Sequence, residues 1–227
     1  MKNEIRTGIH QLPVMESFYT IQGEGFHQGR AAYFIRLGGC DVGCSWCDVK
    51  ESWDPALHPL YAVEEIVKKA LLDVSRIARD RPQAPGPGGR SRNNKKIAVI
   101  TGGEPLMHDC TGLTKQLQQA GFFTHIETSG AYPLSGSWDW VCLSPKKFKA
   151  PILEITPLAN ELKVVIFNQS DFQWAEKYAS LVSADCKLFL QPEWERSASV
   201  SPLIIQYIKD HPRWSFSLQL HKYIHVP

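Results

Sequence analysis

Residues 31–47 read AAYFIRLGGCDVGCSWC, a stretch that runs from a strand-like segment into a loop rich in cysteine. The aromatic and aliphatic side chains of Ala31–Leu37 are typical of a β-strand. Glycines at positions 38 and 39 then predict a turn. The three cysteines that follow are Cys40, Cys44 and Cys47. Three thiols therefore lie on one short loop at the end of a strand.

Downstream of this loop, strand-like and helix-like segments alternate along the chain. Apolar residues recur every three or four positions over residues 63–77, which predicts an amphipathic helix. Residues 97–100 form a continuous apolar run, as in a strand buried on both faces. Further strands are predicted at 122–127, 138–143, 162–167 and 187–190, and further helices at 113–120, 171–181 and 202–209.

This alternation predicts an α/β fold, since strands that alternate with helices are usually parallel and joined by right-handed crossovers. Six predicted strands are too few to close an eight-stranded barrel. The sequence therefore predicts an incomplete parallel (β/α)6 barrel of TIM-like form. We expect one domain over residues 1–227, because a chain of this length can bury one substantial core.

Segment 81–96, RPQAPGPGGRSRNNKK, interrupts this order. It is rich in proline, glycine and basic residues, and it has no aliphatic side chain larger than alanine. Such a composition predicts a flexible insertion that contributes nothing to the core.

The overall composition narrows the classes of function. Lys plus Arg total 25 and Asp plus Glu total 23, so the charge gives no general attraction to nucleic acid or to a membrane surface. The N-terminal segment lacks the apolar run of a signal peptide, and no segment has transmembrane length. We therefore expect a cytoplasmic protein, in which clustered cysteines indicate metal binding or catalysis instead of disulfides.

Three thiolates on one loop can each bind a different iron of a [4Fe–4S] cluster. The fourth iron then has no protein ligand and is open to a substrate. The alternative is a zinc site, which normally needs four ligands in paired spacing. Asp41, Asp48 or a distant histidine could supply the fourth.

Polar residues also follow several of the other predicted strands. Parallel α/β barrels build their sites at the carboxyl ends of their strands. These residues should therefore surround one opening together with the cysteine loop. They are Gly103 after strand 97–100, Ser129 after 122–127, Ser144, Pro145 and Lys146 after 138–143, and Gln191 after 187–190.

The spacing C-x3-C-x2-C, with Trp46 before the last cysteine, resembles the signature of the radical S-adenosylmethionine (SAM) superfamily. Residues 101–105, TGGEP, are similar to its GGEP motif. This resemblance implies a [4Fe–4S] cluster on the three cysteines and SAM on its open iron, with the cysteines as the catalytic residues. The residues that it implies for cofactor binding are Trp46, Asp48, Gly102, Gly103, Glu104, Ser129, Ser144, Pro145, Lys146 and Gln191.

Two further segments resemble the 7-carboxy-7-deazaguanine synthase (QueE) family. They are FYTIQGEG at 18–25, followed by Arg36, and the tail HKYIHVP at 221–227. The resemblance covers essentially the whole chain. It implies that a 5′-deoxyadenosyl radical starts the ring contraction of 6-carboxy-5,6,7,8-tetrahydropterin. The product would be 7-carboxy-7-deazaguanine, formed with loss of ammonia, in the biosynthesis of queuosine and other 7-deazapurines.

The same resemblance implies a set of substrate contacts that suit a pterin. Glu24 can accept hydrogen bonds from its amino groups, and Arg36 can pair with its carboxylate. Arg36 lies in a predicted strand, where an unpaired charge would be costly, so we expect it to have a partner. In the family the C-terminal carboxylate also helps to bind substrate. The implied contacts are Ile21, Gln22, Gly23, Glu24, Arg36, Thr101, His221 and Pro227.

One residue departs from the family pattern. The family usually has threonine after Cys-Asp, where its hydroxyl binds Mg²⁺ beside the substrate, whereas this chain has Val49. Valine offers no side-chain oxygen, and Mg²⁺ prefers oxygen ligands. We therefore predict that turnover depends only weakly on Mg²⁺.

The partners are expected to be the pterin substrate, an electron donor such as flavodoxin and a second copy of the chain in a homodimer, with no direct nucleic-acid or membrane binding. The homodimer is implied by the family alone. As a hypothesis, the basic residues of segment 81–96 attract an acidic electron donor. These residues are Arg81, Arg90, Arg92, Lys95 and Lys96.

Cys110, Cys142 and Cys186 are scattered, and we interpret them as buried small hydrophobic residues. His108, His125 and His211 are interpreted as structural or surface histidines. Two other functions remain open at this point. One is a glycyl-radical-activating radical SAM enzyme, and the other is a zinc- or cluster-binding module without enzyme activity.

Overall fold

The computed structural model describes residues 10–79 and 95–227. It contains the strands and helices β1 (Gln11–Ile21), β2 (Ala31–Leu37), β3 (Leu60–Ala62), α1 (Val63–Arg79), β4 (Lys96–Gly102), α2 (Thr111–Gln119), β5 (Phe122–Thr128), β6 (Trp140–Leu143), β7 (Glu161–Ile166), α3 (Asp171–Ala179), β8 (Lys187–Pro192), α4 (Ser197–Asp210), β9 (Trp214–Phe216) and α5 (Leu220–Ile224). Short 3₁₀ helices lie at Lys50–Ser52, Pro55–Leu57, Pro105–Met107 and Leu153–Leu158.

The strands of the described residues form one sheet of nine strands, in the order β3-β1-β2-β4-β5-β6-β7-β8-β9. All neighbouring pairs from β2 to β9 are parallel, whereas β1 is antiparallel to both β2 and β3. The sheet does not close, since β3 and β9 are its two edges. The predicted α/β fold with an incomplete barrel is confirmed, and the six predicted strands are the core strands β2 and β4 to β8.

Strands β1, β3 and β9 and helix α5 were not predicted. β1 was missed because its apolar residues do not alternate cleanly along its length. A register shift between Val14 and Glu16 breaks the pattern. A loop held by Gln22 and Arg30 then turns the chain back into β2, since the Gln22 N–H donates to the Arg30 carbonyl over 2.7 Å. This hairpin brings the QGEG segment to the end of the sheet.

Several predicted boundaries are also corrected. The strand predicted from residue 138 begins at Trp140, because Asp139 turns its carboxylate back to the Thr124 N–H over 2.8 Å. The helix predicted from residue 202 begins at Ser197. Pro202, the first residue of the predicted helix, lies within the observed one.

The helices cover one face of the sheet and form the main apolar cores. On β7, for example, Leu162, Val164 and Ile166 pack in the same buried cluster as Phe172 and Tyr178 of α3. Because side chains alternate along a strand, residues 161, 163 and 165 point to the opposite face. We call this opposite side of the sheet, away from the helices, the inner face. It carries most of the polar residues discussed below.

Residues 81–94 of the predicted flexible insertion lie outside the described residues. Lys95 and Lys96 are described and exposed, and Lys96 is the first residue of β4. The single-domain organisation over 1–227 remains a prediction. Among the described residues, no helix combines the length and apolarity needed to cross a membrane.

Candidate active site

One cavity lies at the carboxyl ends of the parallel strands. It is lined by residues that follow β2, β4, β5 and β6, by the ends of β1 and β8, and by the C-terminal tail. Every residue predicted to bind cofactor or substrate lines this cavity except Pro145. Pro145 is buried beside it, and its carbonyl accepts a 3.2 Å hydrogen bond from the Trp174 indole N–H.

The start of the cysteine loop is held by two backbone hydrogen bonds, at Gly39 and at Cys40. The Gly39 N–H donates to the Ser52 carbonyl over 2.6 Å, and the Cys40 N–H donates to the Trp53 carbonyl over 3.1 Å. A further bond of 3.1 Å, from the Cys47 N–H to the Cys44 carbonyl, closes the turn between the last two cysteines. All three cysteines line the cavity.

The spacing of these thiols fits a cluster better than a single zinc ion. Thiolates about 2.3 Å from a tetrahedral zinc lie about 3.8 Å apart. The three sulfurs are not all within 4.8 Å of one another. In a [4Fe–4S] cluster each thiolate binds a different iron, which requires a wider spacing. Three thiols on one short loop, all facing one cavity, are the donor set that such a cluster needs, so the residues present fit the cluster.

The carboxylates considered as a fourth zinc ligand have other partners. Asp41 pairs with Lys149 over 2.8 Å and accepts from the Tyr132 hydroxyl over 2.6 Å. Asp48 pairs with Lys222 over 2.7 Å. Burial raises the pKa of Cys44 to about 11, so this thiol stays protonated at neutral pH unless a metal replaces the proton.

The two glycines of the TGGEP motif allow β4 to approach the cysteine loop. A Cβ on Gly103 would lie 2.2 Å from the Gly39 carbonyl oxygen, and Gly102 has a φ of +119°. The close approach lets the Glu104 N–H donate to the Gly39 carbonyl over 2.8 Å. The motif therefore fixes the position of the residue just before Cys40.

The Glu104 carboxylate is buried, and protein donors occupy both of its oxygens. Oε1 accepts from the Thr128 hydroxyl over 2.6 Å and from the Leu106 N–H over 3.1 Å. Oε2 accepts from the Ser129 N–H over 2.8 Å and also from the Ser129 hydroxyl. Glu104 thus joins the end of β4 to the end of β5.

A buried lysine lies at the base of the cavity between two carboxylates. Lys163, whose side chain is 3% exposed, binds Glu127 over 2.7 Å and also pairs with Glu24. Amides complete the network, since Gln22 donates to Glu127 over 2.8 Å and Gln219 donates to Glu24 over 3.0 Å. Four separate segments of the chain therefore meet at Lys163.

This network shifts the pKa of both partners in the directions that favour an ion pair. Burial alone would raise the pKa of Glu24, but the charge and hydrogen bond of Lys163 outweigh it and lower the pKa to about 2. Burial likewise opposes the charge of Lys163, yet Glu127 and Glu24 raise its pKa well above the ordinary value. Glu24 and Lys163 are therefore both ionised at neutral pH.

Lys146 is a second cation of the cavity. Its ammonium donates to the Ser144 hydroxyl over 2.5 Å and lies 5.4 Å from the centre of the Trp46 ring. It makes no salt bridge with any described residue. Burial lowers its pKa from the usual range. This lysine can therefore pair with an anionic group of a bound molecule.

Arg36 has the partner that its position in a strand requires. It pairs with Glu16 of β1 over 2.7 Å, and its guanidinium lies 5.3 Å from the centre of the Phe18 ring. Its neighbour in the β2–β4 register is Thr101. Arg36 and Thr101 thus line the same side of the cavity.

The C-terminal tail closes the other side. Lys222 of α5 forms the salt bridge to Asp48 and lies 5.0 Å from the centre of the Trp194 ring. His221 packs against Gly23, where a Cβ would lie 2.2 Å from the imidazole Nδ1. Burial lowers the pKa of His221, which favours a neutral ring. Pro227, the last residue, lines the cavity.

Sequence reasoning missed several residues that line the cavity. They are Phe18, Phe34, Val42, Ser52, Glu127, Thr128, Lys163, Val165 and Gln219. One signal was available for two of them, since Glu127 and Lys163 are charged residues within predicted strands. A buried charge in a strand is costly without a partner, so such a residue marks a candidate site.

Comparison with known proteins finds curated relatives that match almost the whole chain. No family model matches it. It is 50% identical over 216 residues to a 7-carboxy-7-deazaguanine synthase from Flavobacterium psychrophilum, covering 95% of this chain and 93% of that protein. It is 32% identical over 223 residues to the enzyme of the same name from Escherichia coli K12, covering 95% and 99%.

The fold is likewise similar to a solved structure. The crystal structure of QueE from Escherichia coli matches with a TM-score of 0.72 at 29% identity, covering 93% of this chain and 95% of that one. The relatives and this structure agree with the resemblance seen in the opening, the cysteine loop and the tail. They disagree with the two alternatives, a glycyl-radical-activating enzyme and a binding module without enzyme activity.

Proposed function

Since this chain belongs to the 7-carboxy-7-deazaguanine synthase family and is an enzyme of that activity, we propose that the cavity at the carboxyl ends of its strands is the active site. Radical SAM lyases of this family use a [4Fe–4S] cluster and SAM. The assignment rests on one observation, that segments distant in the sequence line the same cavity. The cysteine loop, the TGGEP turn, the Lys163 network and the tail come from distant parts of the sequence, and all line one cavity.

Cys40, Cys44 and Cys47 are proposed to hold the cluster. Their loop is fixed by backbone bonds before the first cysteine and by a turn between the last two, and their spacing is wider than one ion requires. When bound, the cluster and SAM supply a radical that removes hydrogen from the substrate.

SAM is proposed to lie across the ends of β4, β5, β6 and β8. Gly102 and Gly103 expose backbone there, Ser129 and Ser144 offer hydroxyls, and Lys146 offers a charge that no carboxylate neutralises. Glu104 already has four donors, which is the capacity of a carboxylate. Glu104 therefore serves to fix this turn and to orient Ser129. The full cofactor-binding set is Trp46, Asp48, Gly102, Gly103, Glu104, Ser129, Ser144, Pro145, Lys146 and Gln191, of which Pro145 lies next to Lys146 in the chain and does not line the cavity.

The pterin is proposed to bind between the β1 hairpin and the tail. Gln22, which is 2% exposed, and Glu24 present fixed polar atoms on this side, because Lys163, Glu127 and Gln219 hold them in place. Arg36 and the C-terminal tail line the same cavity and are proposed to bind the polar groups of the pterin that Gln22 and Glu24 do not reach. The full substrate-binding set is Ile21, Gln22, Gly23, Glu24, Arg36, Thr101, His221 and Pro227.

The Mg²⁺ requirement is proposed to be weak. Val49 lines the cavity directly after Asp48, at the position where the family resemblance implies a threonine ligand. Asp48 is engaged with Lys222. Oxygen ligands for the ion would therefore come mainly from substrate and water.

We further propose a flavodoxin-like electron donor, a homodimer and a cytoplasmic setting. Exposed Lys95 and Lys96 support a basic docking site for the donor, and the homodimer rests on the family resemblance. All six cysteines are free thiols, which suits a reducing compartment.

A reconstitution assay tests the proposed site. The protein is loaded with iron and sulfide without oxygen, and SAM, a reductant and 6-carboxytetrahydropterin are added. We expect 7-carboxy-7-deazaguanine by mass spectrometry, and we expect none from Cys44→Ala. Cys186→Ala removes a buried thiol far from the loop and should keep both iron and product. Equal product from Cys44→Ala would overturn the cluster assignment.

A further inference from the structure

A second group of potential metal ligands lies inside the sheet, one layer below the active site. His125 of β5, Cys142 of β6 and Glu161 of β7 are each at most 1% exposed. Their ligand atoms all lie within 4.8 Å of one another. Within residues 10–79 and 95–227, no other three histidine, cysteine or acidic residues are arranged in this way. None of the three lines the active-site cavity.

The histidine of this group has no hydrogen-bond partner. Both ring nitrogens of His125 are buried without one, and so is the Nε2 of His27, whose ring centre lies 5.6 Å from that of His125. These three are the only such side-chain nitrogen or oxygen atoms among the described residues. Buried polar groups are nearly always bonded, so their concentration at one place needs an explanation.

The acidic member also lacks a cationic partner. Glu161 accepts from the Trp140 indole N–H over 3.0 Å and from the Phe26 N–H over 3.3 Å, but it forms no salt bridge with any described residue. The nearby ammonium of Lys163 is already shared by Glu24 and Glu127. A buried carboxylate is costly unless a cation or further donors compensate it.

We propose that His125, Cys142 and Glu161 bind a divalent transition-metal ion of the zinc class, at a site separate from the cysteine loop. Imidazole, thiolate and carboxylate are all zinc ligands. A neutral imidazole, a thiolate and a carboxylate together give a neutral complex with a divalent ion, which suits a buried location. His27 is the candidate fourth ligand, because its buried Nε2 has no partner among the described residues and its ring centre lies 5.6 Å from that of His125.

The geometry requires only a small contraction. Ligands about 2.0–2.3 Å from a tetrahedral ion lie about 3.5 Å from one another. The three ligand atoms lie within 4.8 Å of one another, so they need to approach by at most about 1.3 Å, which side-chain rotation can supply. The three thiols of the cysteine loop are not all within 4.8 Å of one another. That loop therefore suits a cluster, whereas His125, Cys142 and Glu161 suit a single ion.

The ion would support the substrate-binding network. His125 precedes Glu127 by two residues on β5, and Glu161 precedes Lys163 by two on β7, so both pairs share the inner face. Binding at the lower layer would thus hold three adjacent strands at fixed separation beneath the Lys163 ion pairs. This supporting role rests on the proposed active site, whereas metal binding itself does not.

Metal analysis of two proteins tests the proposal. The first is the reconstituted full-length holoenzyme, in which we expect about one zinc per chain besides the iron of the cluster. The second is the full chain with Cys40→Ala, Cys44→Ala and Cys47→Ala, which cannot hold the cluster. It is produced in zinc-supplemented medium, and separately refolded with Co²⁺, so that burial does not prevent entry. We expect zinc to be retained and Co²⁺ to give a thiolate charge-transfer band.

Two further variants in that triple background identify the ligands. Cys142→Ala should remove the charge-transfer band, and His125→Gln should weaken Co²⁺ binding by at least about tenfold, a loss that even an outer partner of a metal ligand can cause. Cys186→Ala, a buried cysteine outside the group, should leave both unchanged. Absence of zinc and of Co²⁺ binding in the triple variant itself overturns the proposal, whether or not the further variants fold. Failure of the enzyme assay with retained zinc would instead contradict the proposed function alone.

Discussion

Lys163 of β7 binds Glu127 of β5 over 2.7 Å, across the intervening strand β6, at a position where the lysine side chain is 3% exposed. The same ammonium pairs with Glu24, which follows β1. One buried cation therefore joins two distant carboxylates and the segments that carry them. Because the two half-buried carboxylates would otherwise repel each other without a compensating charge, Lys163 is expected to matter for both folding and substrate binding.

Lys163→Met should lower the free energy of unfolding by about 3–5 kcal/mol, the usual cost of leaving buried charges without their partner. Chemical denaturation of the cluster-free protein measures this. Lys69→Met is the control, since its ion pair with Asp73 is exposed and should contribute at most about 1 kcal/mol. Adding Glu127→Gln to Lys163→Met should recover part of the loss. An effect of Lys163→Met no larger than that of the control would contradict this interpretation.

Glu24→Gln should destabilise the protein more at neutral pH than in acid. The folded pKa of Glu24 is about 2 and its ordinary value is 4.5, so the unfolded state binds more protons between these values. Stability from Glu24 is therefore present above pH 4.5 and is lost as the pH falls toward 2. The difference between wild type and variant should be about 3 kcal/mol at pH 7 and about half of that at pH 3.

Urea unfolding in the Cys40→Ala, Cys44→Ala, Cys47→Ala background measures this difference without interference from cluster loss in acid. Exposed Glu195 supplies the matched control, because Glu195→Gln removes a carboxylate with no ion pair among the described residues. A difference for Glu24→Gln that stays constant from pH 7 to pH 3 would rule out the buried ion pair as its cause.

Gly103→Ala should impair cluster binding without unfolding the chain. The new Cβ would lie 2.2 Å from the Gly39 carbonyl oxygen and 3.1 Å from the Cys40 Cβ, so the cysteine loop must move. We expect clearly less iron per chain after reconstitution, with an unchanged circular dichroism spectrum. Gly112→Ala in α2 is the control, because its Cβ would meet only the His10 side chain at 3.2 Å. Full iron content in Gly103→Ala would show that the close approach is dispensable.

The sequence predicted those parts of the fold and the site that depend on neighbouring residues. The core strands, the cysteine loop and the TGGEP turn are of this kind, because short-range apolar patterns and glycines determine them. Strand β1 was missed since a register shift at Val14 and Glu16 disturbs its pattern. Its antiparallel pairing with β2 could not be read from an alternation of strands and helices.

Residues brought together by sheet register were missed for a different reason. Glu127 and Lys163 become partners only because β5 and β7 flank β6, and His125, Cys142 and Glu161 meet by the same arrangement. Cys142 read as a small hydrophobic residue when considered alone, and nothing near it in the chain suggested a ligand group. The resemblance in the opening and tail identified Glu24 and His221, but it did not reveal what holds them in place.

Val49→Thr should make turnover more responsive to Mg²⁺. Threonine has nearly the shape of valine, so the variant mainly adds a hydroxyl, an oxygen ligand that Mg²⁺ prefers, beside Cys47 and Asp48. We expect wild-type turnover to change little after chelation, and turnover of the variant to rise about fivefold on adding Mg²⁺, equivalent to about 1 kcal/mol. Val165→Thr is the matched control, because it adds the same hydroxyl to another part of the cavity wall and should keep the wild-type response. Complete loss of wild-type turnover on removing Mg²⁺, with recovery at low Mg²⁺, would mean that backbone, substrate and water oxygens bind the ion tightly without a side chain at position 49.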